Sequence, residues 1–129
     1  MIGGNLRQGG GIAAAGIVAL ETMVERLADD HATAQQLAKG LHAIDARLAS
    51  PERVETNIVQ VDTTASGRSA AEWIAALDQE GVRAGAWSAS LMRLVTHRHI
   101  GAAEVERALA AFAAVAQRFA QARPRQVAE

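Results

Sequence analysis

Lysine is the first residue to weigh, because an amine that forms imines is the most versatile nucleophile this chain could offer and it has one lysine, Lys39. Such chemistry needs an amine deprotonated by burial or by neighbouring charge. Lys39 lies in a helical pattern between Ala38 and Gly40, off the apolar stripe of Leu37 and Leu41. It reads as a solvated surface lysine, so no catalytic nucleophile is expected in this chain. Arg7 stands in Gly3-Gly4-Asn5-Leu6-Arg7-Gln8-Gly9, just before a helical pattern. Glycine-flanked backbone with an arginine at a helix start suits an anion, phosphate above all. A loose N-terminal tail accounts for the same residues. Arg93 lies inside Leu91-Met92-Arg93-Leu94-Val95-Thr96. Strand alternation puts Leu91, Arg93 and Val95 on one face, and a guanidinium among apolar neighbours requires a partner. That partner is either a structural carboxylate of this chain or a ligand carboxylate held bidentately.

Four histidines add little. His97 and His99 share a side at a strand end, but a metal needs more ligands than their surroundings offer. A solvated strand end is expected there, and no metal. His31, after Asp29-Asp30, reads as a partly buried helix histidine bonded to a neighbour. Trp73 and Trp87 occupy core-like positions. No Ser-His-Asp set or carboxylate pair emerges from the spacing.

The elements that must position these residues follow from periodicity. Residues 1–11 are glycine-rich, which favours irregular backbone and close approach to another body. Ile12, Gly16, Ala19, Leu20, Met23 and Leu27 then form a helical stripe, resumed by Ala34, Leu37, Leu41, Ile44 and Leu48. This predicts one long helix, or two with a kink near Asp30, ending at Ser50-Pro51. Val54 to Thr63 reads as a strand. Ser69-Ala70-Ala71-Glu72 is a capping box opening a helix that turns Trp73, Ile74 and Leu77 inward and stops at Gly81. Val82 to Trp87 and Leu91 to Thr96 read as strands joined by Ser88-Ala89-Ser90. A last helix runs from about Ala102 to about Ala120 on Val105, Leu109, Phe112, Val115 and Phe119. The fold class is α+β: a long N-terminal helix followed by a small sheet covered by helices. The predicted organisation is a connecting segment over residues 1–50, a small domain over 51–122 and a tail over 123–129.

The chain has 129 residues, half of them hydrophobic and many alanine, which suits one soluble helix-rich domain. The net charge of -1, with both signs interspersed, argues against nucleic acid or a membrane surface. There is no cysteine, so disulfides and thiolate metal sites are excluded. No apolar run is long enough to span a bilayer and the N-terminus has no secretory pattern, so the cytoplasm is the expected compartment.

Three stretches together resemble the low-specificity L-threonine aldolases, within the aromatic amino-acid β-eliminating lyases. They are Met1-Ile2-Gly3-Gly4-Asn5-Leu6-Arg7-Gln8-Gly9; Met23-Val24-Glu25-Arg26-Leu27-Ala28-Asp29-Asp30-His31-Ala32 with Thr56-Asn57-Ile58-Val59; and Met92-Arg93-Leu94-Val95-Thr96-His97. The resemblance covers nearly all of this chain but only about the last third of a full-length member. Asn5 and Leu6 depart from the family's glycine and methionine. The resemblance implies a fold-type-I pyridoxal 5'-phosphate (PLP) lyase that cleaves L-threonine or L-allo-threonine to glycine and acetaldehyde, and a small C-terminal domain here. It implies that Arg7 reaches the cofactor phosphate, across a subunit interface, and that Arg93 binds the substrate carboxylate. The Schiff-base lysine would lie before Met1, so this chain alone is expected to be inactive and to bind no PLP stably. A homo-oligomer built through the N-terminal helix is expected. The competing reading is a non-catalytic α+β module that binds a partner protein or a small ligand.

Overall fold

A computed structural model describes residues 9–122. In chain order it has helices α1 (Gly9–Thr22) and α2 (Leu27–Ile44), strand β1 (Ile58–Asp62), helix α3 (Ala70–Gln79), strands β2 (Gly85–Ala86) and β3 (Leu91–Val95), and helix α4 (Ala102–Gln121). Short 3-10 turns at Pro51–Arg53 and Thr64–Ser66 flank β1. The described residues thus form an α+β arrangement, with a three-stranded antiparallel sheet in the order β1-β3-β2.

The N-terminal pattern resolves into two helices, and the break lies at residues 23–26, one turn before the expected kink at Asp30. Asp30 is instead buried in the first turn of α2, where it also offsets the positive end of the helix dipole. Arg26 donates to both its carboxylate oxygens, at 2.9 and 3.2 Å. Thr96, buried at the end of β3, donates from Oγ1 to the Asp30 carbonyl at 2.7 Å. It also exchanges hydrogen bonds with Asn57 ahead of β1, its N–H donating to the Asn57 carbonyl and its own carbonyl accepting from Nδ2. Three elements therefore meet at one threonine.

Helices α2, α3 and α4 cover one sheet face. Val59, Val61, Met92 and Leu94 point into that core with Leu37, Leu41, Leu77 and Val105. Trp73 stacks on Phe112 at 5.8 Å between ring centroids and meets Phe119 edge-on at 5.3 Å. Its indole N–H, which burial would otherwise leave wanting, donates to Ser66 Oγ at 3.0 Å. Gly40 lets Leu109 of α4 lie directly on the α2 backbone, since a Cβ there would collide with that side chain. The capping box forms as read: Ser69 Oγ accepts from the Glu72 N–H, and the Glu72 carboxylate accepts from the Ser69 N–H at 2.8 Å.

The strands are shorter than the hydrophobic runs. Pairing starts at Ile58 rather than Val54, because Pro51–Arg53 turns the chain first. From Val82 to Trp87, two residues pair with β3. Helix α1 is the larger surprise. It has no buried residue, and Ile12, Ile17, Val18 and Leu20 are each more than half exposed. His31 is exposed on α2 rather than partly buried.

Candidate ligand-binding site

The sheet face turned away from the helices is bare. It carries Ile58, Gln60 and Asp62 from β1, opposite Val95, Arg93 and Leu91 of β3. Ile58 and Val95 are 40% and 45% exposed, so no element of the described chain covers this face. Arg93 is therefore exposed, and the expectation that it must be paired to tolerate burial falls away. Among the described residues it makes no ion pair. Its guanidinium stands 5.3 Å from the centre of the Trp87 ring, a cation–π contact. Trp87 itself is 61% exposed, not a core residue as its apolar setting suggested. It belongs to the same bare face and acts as a shelf beside Arg93.

Arg93 lines a groove of about 930 Å³ where β2 splays from the end of β3. The C-terminal end of α3 and the first turns of α4 form its other wall. Val95, Thr96 and His97 continue the β3 side, and Arg83 with Gly85 forms the β2 side. Two acids face the groove and both are engaged. Glu80 pairs with Arg118 at 3.2 Å, and Glu104 with Arg107 at 2.7 Å. Glu104 also accepts the Gly101 N–H at the start of α4, and that backbone bond, more than the arginine, holds its carboxyl below the usual range.

His97 is exposed at the groove mouth, edge-on to His99 at 5.7 Å, and its Nδ1 accepts the His99 N–H. That is the solvated strand end the spacing suggested. Among the described residues no group of three His, Cys, Asp or Glu could hold a metal ion. Lys39 is exposed on α2 and does not line the groove. Arg7 lies outside the described residues.

Two residues near Arg93 were not assigned a site role from the sequence. Trp87 was hidden by the apolar run around it. Arg83 drew no notice, yet the alternation that turns Val82 and Ala84 towards the core turns Arg83 the other way. Thr96 likewise gave no sign of its role in tying β3 to α2.

The fold is an α+β unit in which a small antiparallel sheet carries an arginine at the edge of a groove. The beta-eliminating lyase family matches residues 1–65, and the chain belongs to that family. Two relatives from Arabidopsis thaliana match 112 residues, 86% of this chain. A probable low-specificity L-threonine aldolase 2 is 37% identical and a low-specificity L-threonine aldolase 1 is 32% identical. The chain spans about a third of their length, 32% and 31% respectively.

Proposed function

We propose that this chain supplies the substrate-carboxylate arm of a PLP-dependent threonine aldolase that cleaves L-threonine or L-allo-threonine to glycine and acetaldehyde. The observation that carries the reading is Arg93: exposed, in the groove, unpaired among the described residues, and set in Met92-Arg93-Leu94-Val95-Thr96-His97. A guanidinium offers two parallel N–H donors to a carboxylate. The Trp87 ring limits its rotamers, so less freedom is lost when the anion binds. Gln60, opposite Arg93 on β1, is neutral and does not compete for it.

PLP chemistry needs a lysine to hold the cofactor as an imine. Lys39 stands exposed on α2, outside the groove, so the residues described do not fit covalent anchoring of that cofactor. Arg7, by its resemblance, contacts the cofactor phosphate across a subunit interface. In this reading the complete enzyme is a cytoplasmic homo-oligomer, and the 129-residue chain by itself turns over no threonine.

The test is titration of the 15N-labelled chain with L-threonine, following the Arg93 side-chain Nε–H signal by NMR. A saturable shift is expected in the wild type and none in Arg93→Gln. Equal binding by the two proteins refutes the role of Arg93. Treatment with PLP and borohydride is expected to leave Lys39 unmodified at stoichiometric cofactor, and a one-to-one adduct there overturns the assignment of no catalytic lysine.

A further inference from the structure

We propose that Arg83 is a second anion-binding residue of the groove, so that the site takes a ligand with two anionic groups. The chemical class is a β-hydroxy amino acid whose side chain carries a second carboxylate. This rests on the reading of Arg93 as the residue that receives the α-carboxylate.

Four observations support it. Val82 and Ala84 pack against the core, so Arg83 and Gly85 face the other way, onto the bare face. Gly85 lies opposite Arg93 in the register, and Arg83 precedes Gly85 by two residues, just ahead of β2 and on the same side of the chain. Arginine side chains are long enough to reach one ligand from these two positions. Second, Gly85 puts no side chain between them, and a Cβ built there meets only the Arg93 carbonyl, at 3.9 Å. The backbone at Gly85 is open on that side. Third, both line the same groove.

The fourth observation is electrostatic. Five described arginines are in ion pairs: Arg26, Arg47, Arg68, Arg107 and Arg118. Arg53, Arg83, Arg93 and Arg98 are not, among the described residues, and of these four only Arg83 and Arg93 line the groove. The groove's acids, Glu80 and Glu104, are held by Arg118 and Arg107 instead. Asp62 shares the bare face but pairs with neither arginine, so two like charges with no ion-pair partner among the described residues favour a bridging dianion over a monoanion. A ligand with one carboxylate satisfies Arg93 and leaves Arg83 in water. A ligand with a second carboxylate gains one further charge-assisted contact.

The experiment compares L-threonine with threo-3-hydroxyaspartate on the full 129-residue chain, by NMR titration at low salt. Hydroxyaspartate is expected to bind about tenfold more tightly, the worth of one exposed charge-assisted hydrogen bond. The preference should shrink as sodium chloride screens it. Arg83→Gln should bring hydroxyaspartate down to the level of threonine and leave threonine binding as it was. Arg83 is exposed, so this variant should fold normally, and an unchanged amide spectrum checks that. Equal wild-type binding of the two ligands, or a preference that survives Arg83→Gln, overturns this proposal and leaves the role of Arg93 intact. Threonine binding that does not depend on Arg93, or binding of neither ligand, overturns both.

Discussion

Helix α1 is predicted to drive self-association of this chain. Fourteen residues, all glycine, alanine or exposed aliphatics except Glu21 and Thr22, make a marginal helix in water on their own, so its stability must come from contacts. Within the described chain those contacts are missing: Ile12, Ile17, Val18 and Leu20 are 67%, 54%, 57% and 74% exposed. Complete burial of such a side chain is worth about 1.5–3 kcal/mol, so each stands to gain roughly 1–2 kcal/mol by being covered. At 100° per residue, Ile12, Gly16 and Leu20 share one stripe, while Ile17 and Val18 point elsewhere. A two-helix contact therefore covers Ile12 and Leu20 on both copies, for about 4–8 kcal/mol. That only matches the lower part of the roughly 4–15 kcal/mol cost of association. Covering Ile17 and Val18 as well about doubles the gain. Assemblies that enclose α1 on more than one side are thus favoured over a simple pair. Sedimentation velocity across about 1–100 μM should show concentration-dependent association. Leu20→Glu removes about 3 kcal/mol or more from each helix pair, equivalent to at least a hundredfold weaker association, and should yield monomer. A wild-type monomer at the top of that range, with the α1 amides protected from hydrogen exchange, would refute the reasoning. The helix would then be packing on its own sheet.

Two further outcomes concern the frame that holds Arg93. Thr96→Val keeps shape and burial but deletes the 2.7 Å bond to the Asp30 carbonyl. A loss of about 1 kcal/mol is expected in urea unfolding, with faster amide exchange at the end of β3; an unchanged midpoint would show that the bond contributes nothing. The Glu72 carboxyl is held down to about 2, first by the Ser69 N–H and then by Arg68, from an ordinary value of 4.5. A depressed folded pKa gives stabilisation that is complete above pH 4.5 and lost as pH falls towards 2. Wild-type thermal midpoints should fall across that window, more at low salt because the group is exposed, and Glu72→Gln should flatten the fall. An identical acid limb in the variant would remove Glu72 from the explanation.

Where one local rule decides the outcome, the sequence was a sufficient guide. Ser69 and Glu72 sit three apart at a helix start, and the box forms. Val105, Phe112 and Val115 recur at helical spacing, and they are buried. The face of Arg93 also followed from alternation, but not what lies over that face. Apolar neighbours along a strand say that one face is buried without saying which, and here the helices took the face of Met92 and Leu94. The same ambiguity misplaced Trp87, whose neighbours are small and whose ring found a cation instead of the core. The break at residues 23–26 has no glycine or proline to announce it. The start of α2 after it is tied by Thr96 to Asp30, and windowed periodicity does not register contacts between residues 66 positions apart.

The two surfaces left open by this fold ask for different things. Helix α1 is apolar on every side up to Leu20, and a helix of that kind is stable only inside another body. What encloses it must be extended and apolar, and a small ligand does not meet that demand. The bare sheet face carries Arg93, which makes no ion pair among the described residues, beside an exposed aromatic ring and a groove, and in the proposed reading it receives a compact anion. The path between the two surfaces is short in sequence terms: α1 is joined through the 23–26 turn to α2, and Asp30 in the first turn of α2 is hydrogen-bonded to Thr96, three residues past Arg93. Enclosing α1 should therefore steady the strand that carries Arg93, and ligand affinity should rise with assembly. Threonine titrations above and below the association threshold measure that coupling directly, and by linkage the ligand must promote assembly by the same factor. Affinity independent of protein concentration would mean that the Thr96–Asp30 tie is too local to transmit it.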